Sequence, residues 1–171
     1  MIYELVFCLI LISAAQSCEI KNADNDNFDM TKYTGFWYSR YHRPKSYTDK
    51  YECFIDSYTA HSKKSADLVT SVFVKEDNER KNYTADVTVS KNVLHLKYNP
   101  DSPWSGDYYV LATDEVNFTI VAACAAAGGS EPFMYVAFRN TKPCGKAVAA
   151  ADHALKKFNL SLKDFVNDCT W

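Results

Sequence analysis

Beyond its first 17 residues the chain has no apolar run long enough to span a bilayer. It also lacks a block of like charge, an internal repeat and a low-complexity tail. The formal net charge at pH 7 is only −2, which gives no electrostatic footprint for a nucleic acid or an anionic membrane. Neither a nucleic-acid partner nor membrane insertion is expected. No close Cys/His cluster has zinc-ligand spacing, which argues against a metal site. His42, His61, His95 and His153 are scattered, and neither a Ser/His/Asp order nor a carboxylate pair emerges. With no set of catalytic roles to name, the chain is expected not to be an enzyme and to need no cofactor.

What the chain has is aromatic: 12 Tyr, 10 Phe and 3 Trp in 171 residues. Residues 1–17 (MIYELVFCLILISAAQS) read as a secretory signal peptide. The apolar run Leu5–Ile12 is too short for a span, and small residues follow at Ala14, Ala15 and Ser17. Glu4 and the missing basic lead depart from that anatomy. Cleavage after Ser17 leaves residues 18–171 as a single domain of a secreted, extracellular protein. Cys8 leaves with the signal, and Cys18, Cys53, Cys124, Cys144 and Cys169 remain. Four of these can pair in three ways with one left over, and spacing does not choose among them.

After residue 34 short strand patterns alternate with polar punctuation, near 35–43, 51–60, 67–76, 81–90, 92–98, 106–114, 116–124 and 132–139. Tyr83, Ala85, Val87 and Val89 alternate with Thr84, Asp86 and Thr88. Eight strands with short links predict an all-β, up-and-down antiparallel barrel, which removes exposed sheet edges. The period then changes. Between Lys146 and Phe158 the apolar Val148, Ala151, Leu155 and Phe158 share one helical stripe, with Pro143 before it and Asn159 after. This predicts one amphipathic helix on the outside of the barrel.

Near the start of that region, NFDMTKYTGFWYSRYH (27–42) sets Gly35 and Trp37 where a turn-like lead-in enters a strand. Phe28, Lys32, Tyr33, Gly35, Trp37 and Tyr38 in this string resemble the first signature of the lipocalins, secreted barrels that carry small, mostly apolar molecules. YYVLATDEVNFTIVAAC (108–124) is similar to the second signature, two strands joined at Thr113-Asp114, and FMYVAFRN (133–140) to the third. The resemblance implies that Arg139 lies across Trp37 and, with Gly35, Thr113 and Asp114, closes the barrel floor. Such a cation–π contact is worth about 0.5–2 kcal/mol. Glu115 departs from the family, which usually has Tyr there. The match points to the arthropod branch, the apolipoprotein D-like lipocalins, and in particular to cockroach lipocalin allergens through the ending HALKKFNLSLKDFVNDC (153–169). It implies disulfides Cys18–Cys124 and Cys53–Cys169, with Cys144 left free at the helix start.

Strand parity can be anchored at several points. Sequons at Asn82, Asn117 and Asn159 mark candidate glycosylation sites. Outward Asn82 and Asn117 turn Tyr83, Val87, Phe118 and Ile120 inward. Arg139 over Trp37 turns Phe133 and Tyr135 inward. A Cys53 bonded outside the barrel turns Phe54, Asp56 and Tyr58 inward. Ser39, Tyr41, Leu94, Leu96 and Tyr109 complete the expected ligand-binding lining, while parity puts His95 outside and supports no inward histidine. Asp56 is the odd member, because a buried carboxylate is costly unless something satisfies it. Either a neighbouring hydroxyl or guanidinium does so, or Asp56 is the counter-ion of a ligand ammonium. Some allergen-like relatives carry aromatic biogenic amines, which the resemblance adds to the second alternative. The expected function is a carrier of a small hydrophobic or amphipathic ligand, either an aromatic amine or a pheromone-like molecule. The alternative is a fatty-acid or lipid carrier or storage protein. A monomer or weak dimer is expected, and nothing in the loops specifies a protein partner.

Overall fold

Alternation along the strands decides the architecture of the structure, a computed structural model that describes residues 20, 28–45, 49–98, 104–124, 132–167 and 169. The expected signal peptide and Cys18 lie outside the described residues. A short helix α1 (Met30–Tyr33) precedes strands β1 (Gly35–Arg43), β2 (Tyr51–Ser62), β3 (Ser65–Val74) and β4 (Glu79–Ser90). Strands β5 (Val93–Tyr98), β6 (Gly106–Thr113), β7 (Phe118–Cys124) and β8 (Pro132–Phe138) follow, then helix α2 (Gly145–Leu155). Each strand pairs antiparallel with the next, and β1 pairs with β8 to close the barrel. In β4, Ala85, Val87 and Val89 are buried while Thr84, Asp86 and Thr88 are exposed, as a sheet with one apolar face requires.

Two cores result. The interior of the barrel holds residues such as Leu68, Val72, Val87, Leu94, Val110 and Val121. A second core lies outside, between α2 and the backs of β6, β7 and β8, where Ala147, Ala151 and Leu155 meet Leu111, Ile120, Val136 and Phe138. The predicted helical stripe is shifted slightly. Ala147, Ala151 and Leu155 are the buried positions, and Val148 and Phe158 pack at the margin. A turn of 3₁₀ helix at Lys156–Phe158 continues α2, and Asn159 ends it in the left-handed conformation at φ 57°. That is the usual way to stop a helix without glycine.

The chain leader is more ordered than a turn. Asp29 caps α1 by accepting the Thr31 N–H at 3.0 Å, and Phe28, Met30 and Tyr33 insert into the barrel interior. At the far end of the chain, Cys53 and Cys169 form a disulfide across 116 residues. Beside it, His42 and Val166 exchange backbone hydrogen bonds at 3.0 and 2.9 Å. The C-terminal tail is thus tied to β1 and β2. Cys124 is also disulfide-bonded, and Cys144 is free and exposed. No helix among the described residues is long and apolar enough to cross a membrane.

Candidate functional site

One end of the barrel is sealed by Arg139. Its guanidinium lies 3.8 Å from the centroid of the Trp37 ring and donates to the carbonyls of Thr34, Phe36, Lys32 and Glu115 at 2.6–3.3 Å. The Trp37 indole N–H donates to the Tyr33 carbonyl at 2.9 Å, so a buried donor is satisfied. Gly35 sits at φ +97°, and a Cβ there would stand 3.1 Å from an Arg139 nitrogen. Only glycine suits both the backbone and the space. Thr113 and Asp114 build the neighbouring turn. The Asp114 carboxylate accepts the N–H groups of Val116, Asn117 and Phe118, and these bonds outweigh partial burial to hold its pKa below the usual value. They also explain why β7 starts at Phe118 rather than 116. Glu115, the departure from the family, stays useful here: its carboxylate accepts the Asp29 N–H at 3.3 Å and lies 3.8 Å from Lys32.

Above this floor lies a cavity. Ser39, Phe54, Asp56, Leu96, Phe133 and Tyr135 line it, while Tyr58, Tyr83, Val87 and Leu94 pack in the same interior. Four residues expected inside are not there. Tyr41, Tyr109, Phe118 and Ile120 belong to the outer core under α2. In β1 a bulge between Ser39 and Tyr41 reverses parity, so Tyr41 packs outward on Phe138, ring centroids 6.3 Å apart. The same bulge carries His42 to the cavity wall, against the expectation that no histidine faces inward. In β7 the parity anchor failed because Asn117 belongs to the turn rather than the strand. In β6 the cavity takes Tyr108 instead of its neighbour Tyr109. His95 does lie outside, 2.7 Å from Asp107.

Sequence reasoning also missed Thr70, Tyr98 and Trp104 at the cavity wall. Trp104 fills much of the interior. Its ring meets those of Tyr51, Phe54, Tyr83 and Tyr98 edge-on, with centroids 4.7–6.0 Å apart. The free space, about 40 Å³ measured to the centre of a water-sized sphere, holds a few waters. A ligand must therefore move side chains as it enters.

Asp56 is the polar centre of the cavity. It is 8 % exposed, and its Oδ1 accepts the Thr70 hydroxyl at 2.7 Å. The Thr70 oxygen lies 2.5 Å from the Tyr98 hydroxyl. Thr70 has one proton and gives it to Asp56, so Tyr98 donates to Thr70. Burial pushes the Asp56 carboxyl up to about 6, with the Thr70 bond opposing. Among the described residues no ion pair reaches it. Asp56 is thus a desolvated acid that a cation would stabilise in its charged form. The lining includes no Lys or Arg; His42 alone could turn cationic. Among the described residues no group of three or more His, Cys, Asp or Glu could hold a metal ion.

A closed eight-stranded antiparallel barrel, sealed at one end, hollow above the seal and flanked by one C-terminal helix, is the lipocalin fold. The chain has that fold and is similar to arthropod lipocalins. No protein-family model matches it. The Lazarillo protein of the grasshopper Schistocerca americana is 27% identical over 173 residues, covering 92% of this chain and 79% of the relative. The major allergen Per a 4 from cockroaches has a TM-score of 0.75 at 24% identity, over 89% of this chain and 94% of the allergen. The amine binding protein of Rhodnius prolixus, in its tryptamine complex, has a TM-score of 0.67 at 16% identity, over 88% of this chain and 85% of its own. At these identities the structural likeness is one of fold.

Proposed function

We propose that the protein is an extracellular carrier that holds a small amphipathic ligand in its barrel, and that the ligand is an aromatic biogenic amine. Asp56 carries this reading. A buried carboxylate with no cationic neighbour is expensive, and a ligand ammonium would relieve that cost. The surrounding Phe54, Trp104, Tyr108 and Phe133 supply ring contacts for an aromatic group. The tryptamine bound by the Rhodnius protein supports the class of ligand, and a pheromone-like amphiphile with a basic nitrogen would fit the same description. The Cys53–Cys169 disulfide suits an oxidising compartment, in keeping with residues 1–17 as a signal. Asn82, Asn117 and Asn159 are exposed and are proposed to carry glycans.

A charge-assisted hydrogen bond to Asp56 is worth about 1.5–3 kcal/mol, or about ten- to a hundred-fold in affinity. Titration calorimetry with tyramine and a long-chain fatty acid, on the wild type and Asp56→Asn, tests the proposal. Tyramine should bind and lose that factor in the variant. Equal tyramine affinity in both would remove Asp56 from the site. Tight fatty-acid binding without any amine response would favour the lipid carrier.

A further inference from the structure

Trp104 lines the cavity without belonging to any strand. It lies in the link between β5, which ends at Tyr98, and β6, which starts at Gly106. Neighbouring strands run in opposite directions around the barrel. Arg139 follows the end of β8, so the β5–β6 link lies at the opposite end, the mouth. Trp104 therefore reaches in from the mouth, and it is only 7 % exposed.

Four rings box the indole. Tyr51, Phe54, Tyr83 and Tyr98, from β2, β4 and β5, meet it at interplanar angles of 72–77°. Edge-to-face geometry sets the positive rim of one ring against the negative face of another. A flat aromatic guest can make the same contacts, whereas an alkyl chain has no face to offer. The box also adjoins the acid. Tyr98 turns its ring to Trp104 and its hydroxyl to Thr70, which donates to Asp56. Phe54 and Asp56 both line the cavity and stand two residues apart on β2, about 7 Å along the strand. That is the scale of a short alkyl link between a ring and an ammonium.

Hydrogen bonds hold the backbone of Trp104 and leave its ring to turn. The Tyr108 hydroxyl donates to the Trp104 carbonyl at 2.9 Å, and the Ser105 hydroxyl accepts the Tyr98 N–H at 3.0 Å. Rotation about χ1 and χ2 moves the indole toward the mouth without breaking either bond, and no strand ladder has to open.

Resting on the amine reading above for the charged end of the ligand, we propose that the four-ring box is the site of the ligand's aromatic ring, and that this ring takes the place of Trp104. The indole and the ligand ring compete for the same contacts. On binding, Trp104 gives up four ring contacts, turns toward the mouth and keeps an edge against the ligand.

The test uses tyramine and p-cresol, which has tyramine's ring without its ammonium. Acrylamide quenching of tryptophan fluorescence, read as the difference between the wild type and Trp104→Phe, reports how open Trp104 is to solvent. Either bound probe should raise that quenching. In titration calorimetry both probes should bind Trp104→Ala about tenfold or more tighter than the wild type, because the competing indole is gone. Quenching of Trp104 that falls or stays constant with tyramine bound would overturn the ring site, even if p-cresol fills the hole in the variant. Weaker tyramine binding to Trp104→Ala would also overturn it, because Trp104 would then be a fixed wall. If both probes behave as expected but Asp56→Asn leaves tyramine affinity unchanged, the ring site stands and the amine reading falls. Fatty-acid binding with no response to either probe would overturn both. Should Trp104→Ala not fold, Trp104→Leu takes its place, and the wild-type quenching decides by the same criterion.

Discussion

Replacing Asp56 with Asn should make the ligand-free protein more stable near neutral pH. In the folded barrel the carboxyl titrates at about 6, against 3.8 for the unperturbed group. Between those values the folded state holds a proton that the unfolded state has released, so stability falls as pH rises from about 4 to about 6. The deficit is absent below the unfolded value and complete above the folded one. Roughly two pKa units at about 1.4 kcal/mol each give a deficit near 3 kcal/mol at pH 7, as an upper figure. Asn carries no charge, and its amide oxygen can still accept the Thr70 hydroxyl that now lies 2.7 Å from Asp56. Asp56→Asn should therefore raise the unfolding free energy by about 1–3 kcal/mol at pH 7 and by less than about 1 kcal/mol near pH 4. Urea denaturation of both ligand-free proteins at the two pH values measures this. Equal stability at pH 7, or a gain of the same size at pH 4, would refute the reasoning, because the carboxylate would then be hydrated or neutralised in the native barrel. With amine affinity falling in the same variant, Asp56 would be a residue kept for binding at a cost to stability.

The same titration acts on the ligand. Tyramine affinity measured by calorimetry should weaken as pH drops below about 6, by up to about tenfold per pH unit, since the amine needs the ionised acid. Cys53→Ser or Cys169→Ser should lower stability by about 2–4 kcal/mol in denaturant melts, because the bond closes 116 residues; a non-reducing peptide map should also join Cys124 to Cys18 and leave Cys144 unlinked. Trp37→Ala should cost about 3–5 kcal/mol, and Arg139→Ala should also destabilise, with ligand preference unchanged in both. A variant of either kind that kept its melting temperature yet lost binding would contradict their place in the floor.

Regular alternation made much of the barrel readable in advance. In β4, one apolar face and one polar face leave a single parity for Tyr83, Ala85, Val87 and Val89. β7 offers no such contrast. Phe118 to Ala123 are all buried because the cavity takes one face and α2 the other, so composition could not say which side Ile120 faced. Bulges add a second kind of illegibility. One at Ser39/Tyr41 exchanged the places of Tyr41 and His42 without any glycine or proline to announce it. Asp56 stood out because an acid interrupts an apolar face. Its partner did not, since Thr70 reaches it from β3 and is held in turn by Tyr98 from β5, and both look like ordinary strand residues. Helix α1, with four residues, spans barely one turn of 3.6 residues, too short for an apolar stripe to repeat.

The floor that Arg139 closes has a kinetic consequence. Four carbonyls held by one guanidinium close that end of the barrel, so among the described residues no way out leads through the floor, and a molecule leaves by the end at which it arrived. A newcomer cannot push the resident out from behind. Exchange would then proceed only through the vacated state, and the rate at which a bound ligand leaves should not change however much competitor is added.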